Sequence, residues 1–393
     1  MATSNSESDK NVQSCKNSES IKINGDDGVD QWGNTPLHMA LSSKVNLIKA
    51  ESLLRGGADP NASNTYGLTP LHLMCQVHLG DEQFVKKFFK ITEDLKKKVQ
   101  IDVLDKYGNT PLHLALSIGK KNEAEWLLRK GASPDLANTE GLTPLHIICK
   151  RKDDGILKCE MLKMFFKVNA DLRQEVNVNA KDKCGRTALQ LALARCHWDS
   201  ANLLLRAKAD PNFTSEDRST PLHIICRNDR EDWGAVLFLK TCRELKLKVE
   251  MNARDKSGRT PLQWAVASLL PKSVQTLLEY GADLSDFEFP HDYFGDHIPR
   301  YSVYRDRMIS HVKGALFVLF HLRQWQYQIT RQDAQTLVAF FSKNKLLEDQ
   351  GYGENWFRHD HHWNEFKSIV SLLRPDESRD ILERMEKLRS KRK

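Results

Sequence analysis

The sequence lacks a stretch that could cross a bilayer. Its longest apolar run, Gly314-Ala-Leu-Phe-Val-Leu-Phe320, is far short of the roughly 20 residues a spanning helix needs, and reads as a buried helix face. No apolar run follows a basic start, so no signal peptide is expected. Gly-x-x-x-x-Gly-Lys-Ser/Thr, Gly-x-Gly-x-x-Gly, Gly-x-Ser-x-Gly and His-Glu-x-x-His are all missing. Their absence removes the common phosphate cradles, the nucleophile elbow and the zinc helix. The eight cysteines include no Cys-x-x-Cys pair, which points away from a disulfide framework and toward a reducing compartment. A net charge of +7 over 393 residues is too mild to argue for nucleic acid. The first 30 residues carry six acidic and three basic side chains and few apolar ones, a composition that predicts disorder.

One phrase is present in abundance. Gly33-Asn-Thr-Pro-Leu-His returns at Gly67, Gly108 and Gly141, with weaker copies at Gly185, Arg218 and Gly258, seven in all. Thr is a good helix N-cap, Pro suits the first helical position, and Gly two residues earlier fits a turn with positive φ. Several units then close on a stop such as Arg55-Gly56-Gly57-Ala58-Asp59 or Tyr280-Gly281-Ala282-Asp283, the left-handed cap of a second helix. A short unit repeated in this way cannot bury its apolar side alone and must stack on its neighbours.

The phrase recurs at steps of 34, 41, 33, 44, 33 and 40 residues, so the repeat proper is a pair of units of roughly 75 residues. Even members agree in detail: Cys75, Cys149 and Cys226 share one helix position, and Phe88-Phe89-Lys90, Phe165-Phe166-Lys167 and Phe238-Leu239-Lys240 share another. The even units lack the Gly-Ala-Asp stop, so a longer second helix or loop is expected in each, projecting from one face. The repeated cysteines read as small packing residues. The repeated His38, His72, His113, His146 and His223 read as hydrogen-bonded ties between turns; Gln190 and Gln263 replace them in two units, and Gln keeps a hydrogen bond but not imidazole chemistry.

These motifs resemble the ankyrin-repeat family over residues 30–285. The resemblance implies an all-α solenoid of seven helix-turn-helix repeats with β-hairpin turns, preceded by a tail (1–30) and followed by a helical segment (286–393). The alternation and the aromatic tail are also similar to insect ankyrin proteins of the wasp type. In that segment helices are expected over 302–327, from Thr330–Asp333 to Lys345, over 360–373 and from Pro375, forming either a cap on the stack or a separate docking module.

The resemblance implies a monomeric, non-enzymatic scaffold without cofactor, metal or membrane, resident in the cytoplasm or nucleus, that binds a partner protein through a concave groove lined by turn tips and inner helices. Carried onto this sequence, the contact residues are Asn64, Thr65 and Tyr66; Asp105, Lys106 and Tyr107; Asn138 and Glu140; Lys181, Asp182 and Lys183; Glu216 and Asp217; and Arg254, Asp255 and Lys256, with Tyr66 and Tyr107 as anchors. Two narrower functions stand beside it. One is a ubiquitin-ligase adaptor, since Leu373-Arg-Pro375-Asp-Glu377 with Ile381-Leu382 resembles the opening of an F-box. The other is cytoplasmic masking of a transcription factor. His359-Asp-His361-His362 with Glu365 is a metal-like cluster that reads better as a solvated helix face, and Lys391-Arg392-Lys393 as a nuclear-import patch or a soluble helix end.

Overall fold

The computed structural model describes residues 28–42, 46–76, 84–152, 155–228, 232–295, 305–343 and 360–390. The expected tail (1–27), His359 with the side chains of His361 and His362, and Lys391–Lys393 lie outside the described residues. Among those described, the regular structure is helical, with no strand, and no helix is long and apolar enough to cross a membrane. The chain divides into two compact units after Ala188.

The first unit stacks helix pairs. Inner helices α1 (Pro36–Ser42), α3 (Pro70–Gln76), α5 (Pro111–Ile118) and α7 (Pro144–Lys150) pack one on the next. Outer helices α2 (Leu47–Arg55) and α4 (Phe84–Asp94) pack together, as do α6 (Lys121–Arg129) and α8 (Gly155–Asp171). Each inner helix begins at the Thr-Pro-Leu phrase. Thr110 Oγ1 accepts from the His113 N–H at 3.4 Å while His113 Nδ1 accepts from the Thr110 N–H at 3.2 Å, a capping box built with histidine in place of glutamate. The repeated leucines Leu37, Leu71, Leu112 and Leu145 are at most 1% exposed.

The second unit holds α9 (Ala188–Leu193, whose first residue belongs to the first unit), α10 (Trp198–Arg206), α11 (Pro221–Asn228), α12 (Gly234–Glu244), α13 (Pro261–Ala267) and α14 (Pro271–Glu279). There α11 packs on α13, and α10, α12 and α14 pack in series. A 3-10 turn at His291–Tyr293 leads to α15 (Arg305–Gln324), α16 (Arg331–Lys343), α17 (Asp360–Val370) and α18 (Pro375–Ser390). Helix α15 lies against α14. The approach is close at Gly314, where a Cβ would stand 2.9 Å from the Leu269 carbonyl oxygen. Thr330 and Asp333 cap α16 reciprocally, with Thr330 N–H donating to Asp333 Oδ2 at 2.8 Å.

The even outer helices are the longer ones: α4 and α12 have 11 residues and α8 has 17, against 9 for α2, α6, α10 and α14. The stop expected to be absent from the even units is nevertheless formed. In α4 the Lys97 N–H donates to the Thr92 carbonyl and the Lys96 N–H to the Glu93 carbonyl, the paired bonds of a Schellman motif. Gln174 with Arg173 closes α8 in the same way, and Leu247 with Lys246 closes α12. The left-handed residue is Lys96 (φ 55°), Arg173 (54°) or Lys246 (57°), where odd repeats place Gly57, Gly131 or Gly281. The missing glycine changes the cost of the cap and leaves its geometry intact.

Candidate interaction surface

The turn before each inner helix is a hairpin of three loop residues. In the third repeat the Gly108 N–H donates to the Asp105 carbonyl at 2.8 Å and the Asp105 N–H to the Asn109 carbonyl at 2.9 Å. Gly108 is left-handed at φ 73°, as a type I turn followed by a bulge requires. That glycine also lets the next turn approach, because a Cβ on Gly108 would lie 2.8 Å from the Thr139 nitrogen. Within each unit one backbone bond then ties a tip to the one before it. In the first unit Thr65 N–H donates to Trp32 O, Lys106 to Tyr66 O, Thr139 to Tyr107 O and Lys183 to Glu140 O, at 2.9–3.0 Å; in the second, Lys256 N–H donates to Asp217 O at 2.8 Å.

The histidines tie the same turns from beneath. Nδ1 of each faces its own N-cap Thr, and Nε2 donates to a carbonyl of the following turn: His38 to Leu68, His72 to Asn109, His113 to Leu142, His146 to Arg186 and His223 to Arg259, at 2.9–3.1 Å. Burial depresses the pKa of each below 6.5, partly offset by that carbonyl. Each is therefore a neutral imidazole with a fixed tautomer and both nitrogens engaged. Gln263 reproduces the arrangement, its Oε1 accepting from Thr260 N–H at 2.8 Å and its Nε2 donating to Glu288 O at 2.9 Å. Gln190 Nε2 donates to Phe213 O and Ser219 O.

Five of the residues expected to contact a partner turn inward instead. Asn64, Asp105, Asn138, Asp182 and Asp255 each accept, through one side-chain oxygen, the N–H groups two and four residues on. Four of them are at most 9% exposed. The alternation of Asp and Asn at these tips has a cause inside the protein. Asp30 Oδ2 accepts from Asn34 Nδ2, and Asn34 Oδ1 accepts from Asn64 Nδ2 in the next repeat. Asp105, Asn109 and Asn138 repeat that chain at 3.2 and 2.9 Å. An odd tip must accept and so is Asp; an even tip must also donate and so is Asn.

The outward residues are Thr65, Lys106, Tyr107, Glu140, Lys181, Lys183, Glu216, Asp217, Arg254 and Lys256, all exposed, with Tyr66 half-buried. Lys106 joins the two expected anchors: its Nζ is 4.0 Å from the Tyr66 ring centroid and 5.1 Å from that of Tyr107, within cation–π range. Sequence reasoning placed the inner helices along the groove without naming the position directly after each His. In the first unit Met39, Leu114 and Ile147 are half-exposed there, while Leu73 of the second repeat is buried. The signal was present as an apolar residue in that slot of every unit.

The side chains of the His359–Glu365 stretch, expected to form a solvated helix face, are described only from Trp363 onward. Among the described residues no three His, Cys, Asp or Glu side chains converge as a metal site. Glu365 accepts from Arg323 at 3.1 Å. Cys75, Cys149 and Cys226 are at most 1% exposed, and burial pushes the Cys75 and Cys149 thiols up to about 12, so they are packing residues.

A family model of ankyrin repeats in three copies matches residues 49–138, 73–173, 119–215 and 197–287, and one of the single ankyrin repeat matches 32–65. The Nuclear factor NF-kappa-B p105 subunit of Gallus gallus is 32% identical over 222 residues, which is 53% of this chain and 20% of that protein. The Transient receptor potential cation channel subfamily A member 1 of Homo sapiens is 25% identical over 200 residues, 51% of this chain and 17% of that protein. The chain thus spans about a fifth of the length of these curated relatives. The crystal structure of the ankyrin repeat domain of Bcl-3, described as a unique member of the IkappaB protein family, gives a TM-score of 0.46 at 22% identity, covering 63% of this chain and 99% of that one.

Proposed function

Because the chain belongs to the ankyrin-repeat family, a non-enzymatic protein-interaction module, we propose that it binds a partner protein along the turn tips of its first unit, with Tyr66, Lys106 and Tyr107 at the centre. One observation carries this reading. The outward tip residues stand on turns already locked to one another by backbone bonds, so little order remains to be gained on binding. Two tyrosines bridged by a lysine give an aromatic anchor of the kind that dominates interfaces, and Met39, Leu114 and Ile147 supply apolar surface beside it. Helices α15 to α18 act as the cap, since α15 lies on the last repeat helix.

The test compares the full chain with a Tyr66→Ala, Lys106→Ala, Tyr107→Ala variant by affinity capture and mass spectrometry. Wild type should retain a protein at near-stoichiometric yield, and the variant should lose it with its melting curve preserved. Equal capture by both refutes the tip surface. A narrower reading, masking of a transcription factor, is favoured by the likeness to a subunit of a nuclear factor; it requires that factor to accumulate in the nucleus when this protein is depleted.

A further inference from the structure

Arg259 lies in the turn of the last repeat, with its guanidinium carbon 3.7 Å from the Tyr293 ring centroid and 4.9 Å from that of Trp264. Trp264, on α13, is 4% exposed, and its indole N–H donates to Asp255 Oδ2 at 2.8 Å. Tyr293 comes from the 3-10 turn after the repeats, its ring 5.3 Å from that of Trp264. Arg227, near the end of α11, brings a second guanidinium 5.7 Å from the same indole.

Neither guanidinium makes a side-chain hydrogen bond among the described residues. Arg227 is ion-paired with Asp217 at 3.7 Å, beyond hydrogen-bond reach. The Arg259 side chain touches the two rings and makes no hydrogen bond or ion pair among the described residues. The nearby acids do not change this. Asp255 is occupied by the N–H groups of Ser257, Arg259 and Trp264. Glu288 and Asp292 act on Tyr293 without pairing with Arg259. Burial pushes the Tyr293 hydroxyl up to about 12, so it stays neutral. Stacking holds the planar fork in one orientation, and such a fork matches a carboxylate with two parallel N–H···O bonds.

We propose that Arg259 and Arg227, fixed on Trp264 and Tyr293, form a carboxylate-reading site on repeats six and seven that takes an Asp or Glu side chain, or a terminal carboxylate, of a partner's extended segment. The site rests on the reading of the chain as a protein-binding scaffold and adds the chemistry its partner must present.

Three fluorescein-labelled twelve-residue peptides test it by anisotropy on the full chain: alternating Glu and Leu with blocked ends, alternating Gln and Leu with blocked ends, and the Gln–Leu peptide with a free C-terminal carboxylate. At least one carboxylate-bearing peptide should bind about tenfold more tightly than the neutral one, and which one distinguishes side chain from terminus. Arg227→Gln/Arg259→Gln should erase the preference, and Arg259→Lys should lose part of it, because an ammonium is not a fork. Arg227→Gln alone leaves the ring stack in place and should still cost about threefold, which decides the matter if the double variant does not fold. Equal binding of all three peptides by the wild type overturns the proposal, as does a preference that survives in the folded variants. In either case the scaffold reading stands or falls separately, on the tip-variant capture.

Discussion

Replacing His113 by Gln should make the stack less sensitive to acid. His113 is 1% exposed, accepts at Nδ1 from the Thr110 N–H and donates from Nε2 to Leu142 O at 2.9 Å. Protonating Nδ1 would put a donor where an acceptor is needed and a charge where there is no water, and burial accordingly lowers the pKa. The unfolded chain takes the proton near pH 6.5, while the folded chain does so only at lower pH. Stability is therefore complete above 6.5 and is lost as pH falls from there toward the folded value. At pH 5.5 the unfolded imidazole gains about 1.4 kcal/mol from protonation, which is the most this one residue can cost. The cost is multiplied across five histidines and lies above the range in which the carboxylates titrate. Gln263 shows that an amide can make both bonds, so His113→Gln should cost on the order of 1 kcal/mol or less at pH 7.5. Guanidinium unfolding of wild type and variant at pH 7.5 and 5.5 checks this: the variant should lose about 1 kcal/mol less than wild type between the two. Parallel losses would refute the neutral-tie reading.

Arg218 occupies a turn position that is otherwise Gly, at φ 57°. Relieving a strain of about 1–2 kcal/mol against a glycine entropy cost of about 0.5–1 kcal/mol, Arg218→Gly should raise the melting temperature by roughly 1–4 °C, while Arg218→Ala should not; a fall on Gly substitution by calorimetry would sink the turn assignment. Lys96→Gly and Lys246→Gly, at the left-handed caps of α4 and α12, should each add about 0.5–1 kcal/mol, and, being far apart in sequence and in separate units, should add independently in denaturant titrations. Asn138→Asp should cost about 1–3 kcal/mol at neutral pH, because it sets an acceptor against Asn109 Oδ1, whose own amide is already given to Asp105; an unchanged midpoint would show the relay to be unimportant.

The repeats were legible because their code is local. Thr-Pro-Leu-His starts a helix with its own cap, and the same four residues also make the tie to the next turn, so one phrase specifies both element and neighbour. The C-terminal helices were legible through their apolar spacing and the Thr330–Asp333 box. Two features were not. Left-handed caps formed by Lys96, Arg173 and Lys246 leave no composition signal, since a helix end with two good backbone bonds can carry a side chain that costs it only about 1–2 kcal/mol. The stack at Arg259 depends on Tyr293, which lies outside any repeat and enters through a turn the period does not cover.

The tips show most clearly where sequence reasoning misassigns a residue. An alternating row of charged and neutral tip residues looks like a surface written for a partner, yet five of those sixteen residues face inward and accept hydrogen bonds from their own turns. Within each of the first two pairs the relay runs Asp to Asn to Asn and stops, at 30–34–64 and 105–109–138. The pair of roughly 75 residues is thus a unit of hydrogen bonding as well as of sequence. In the third pair Arg186 replaces the relaying Asn and gives its charge to Asp182 at 2.7 Å, and Ser215 stands where the donating Asn would be. The turn of that tip is held by Asp217, which accepts from Ser215 and Ser219. The same tip carries the strained Arg218. Repeat six is therefore where local unfolding should begin, and amide exchange at Ser219 faster than at Asn109 or Leu142 is the observation that decides it.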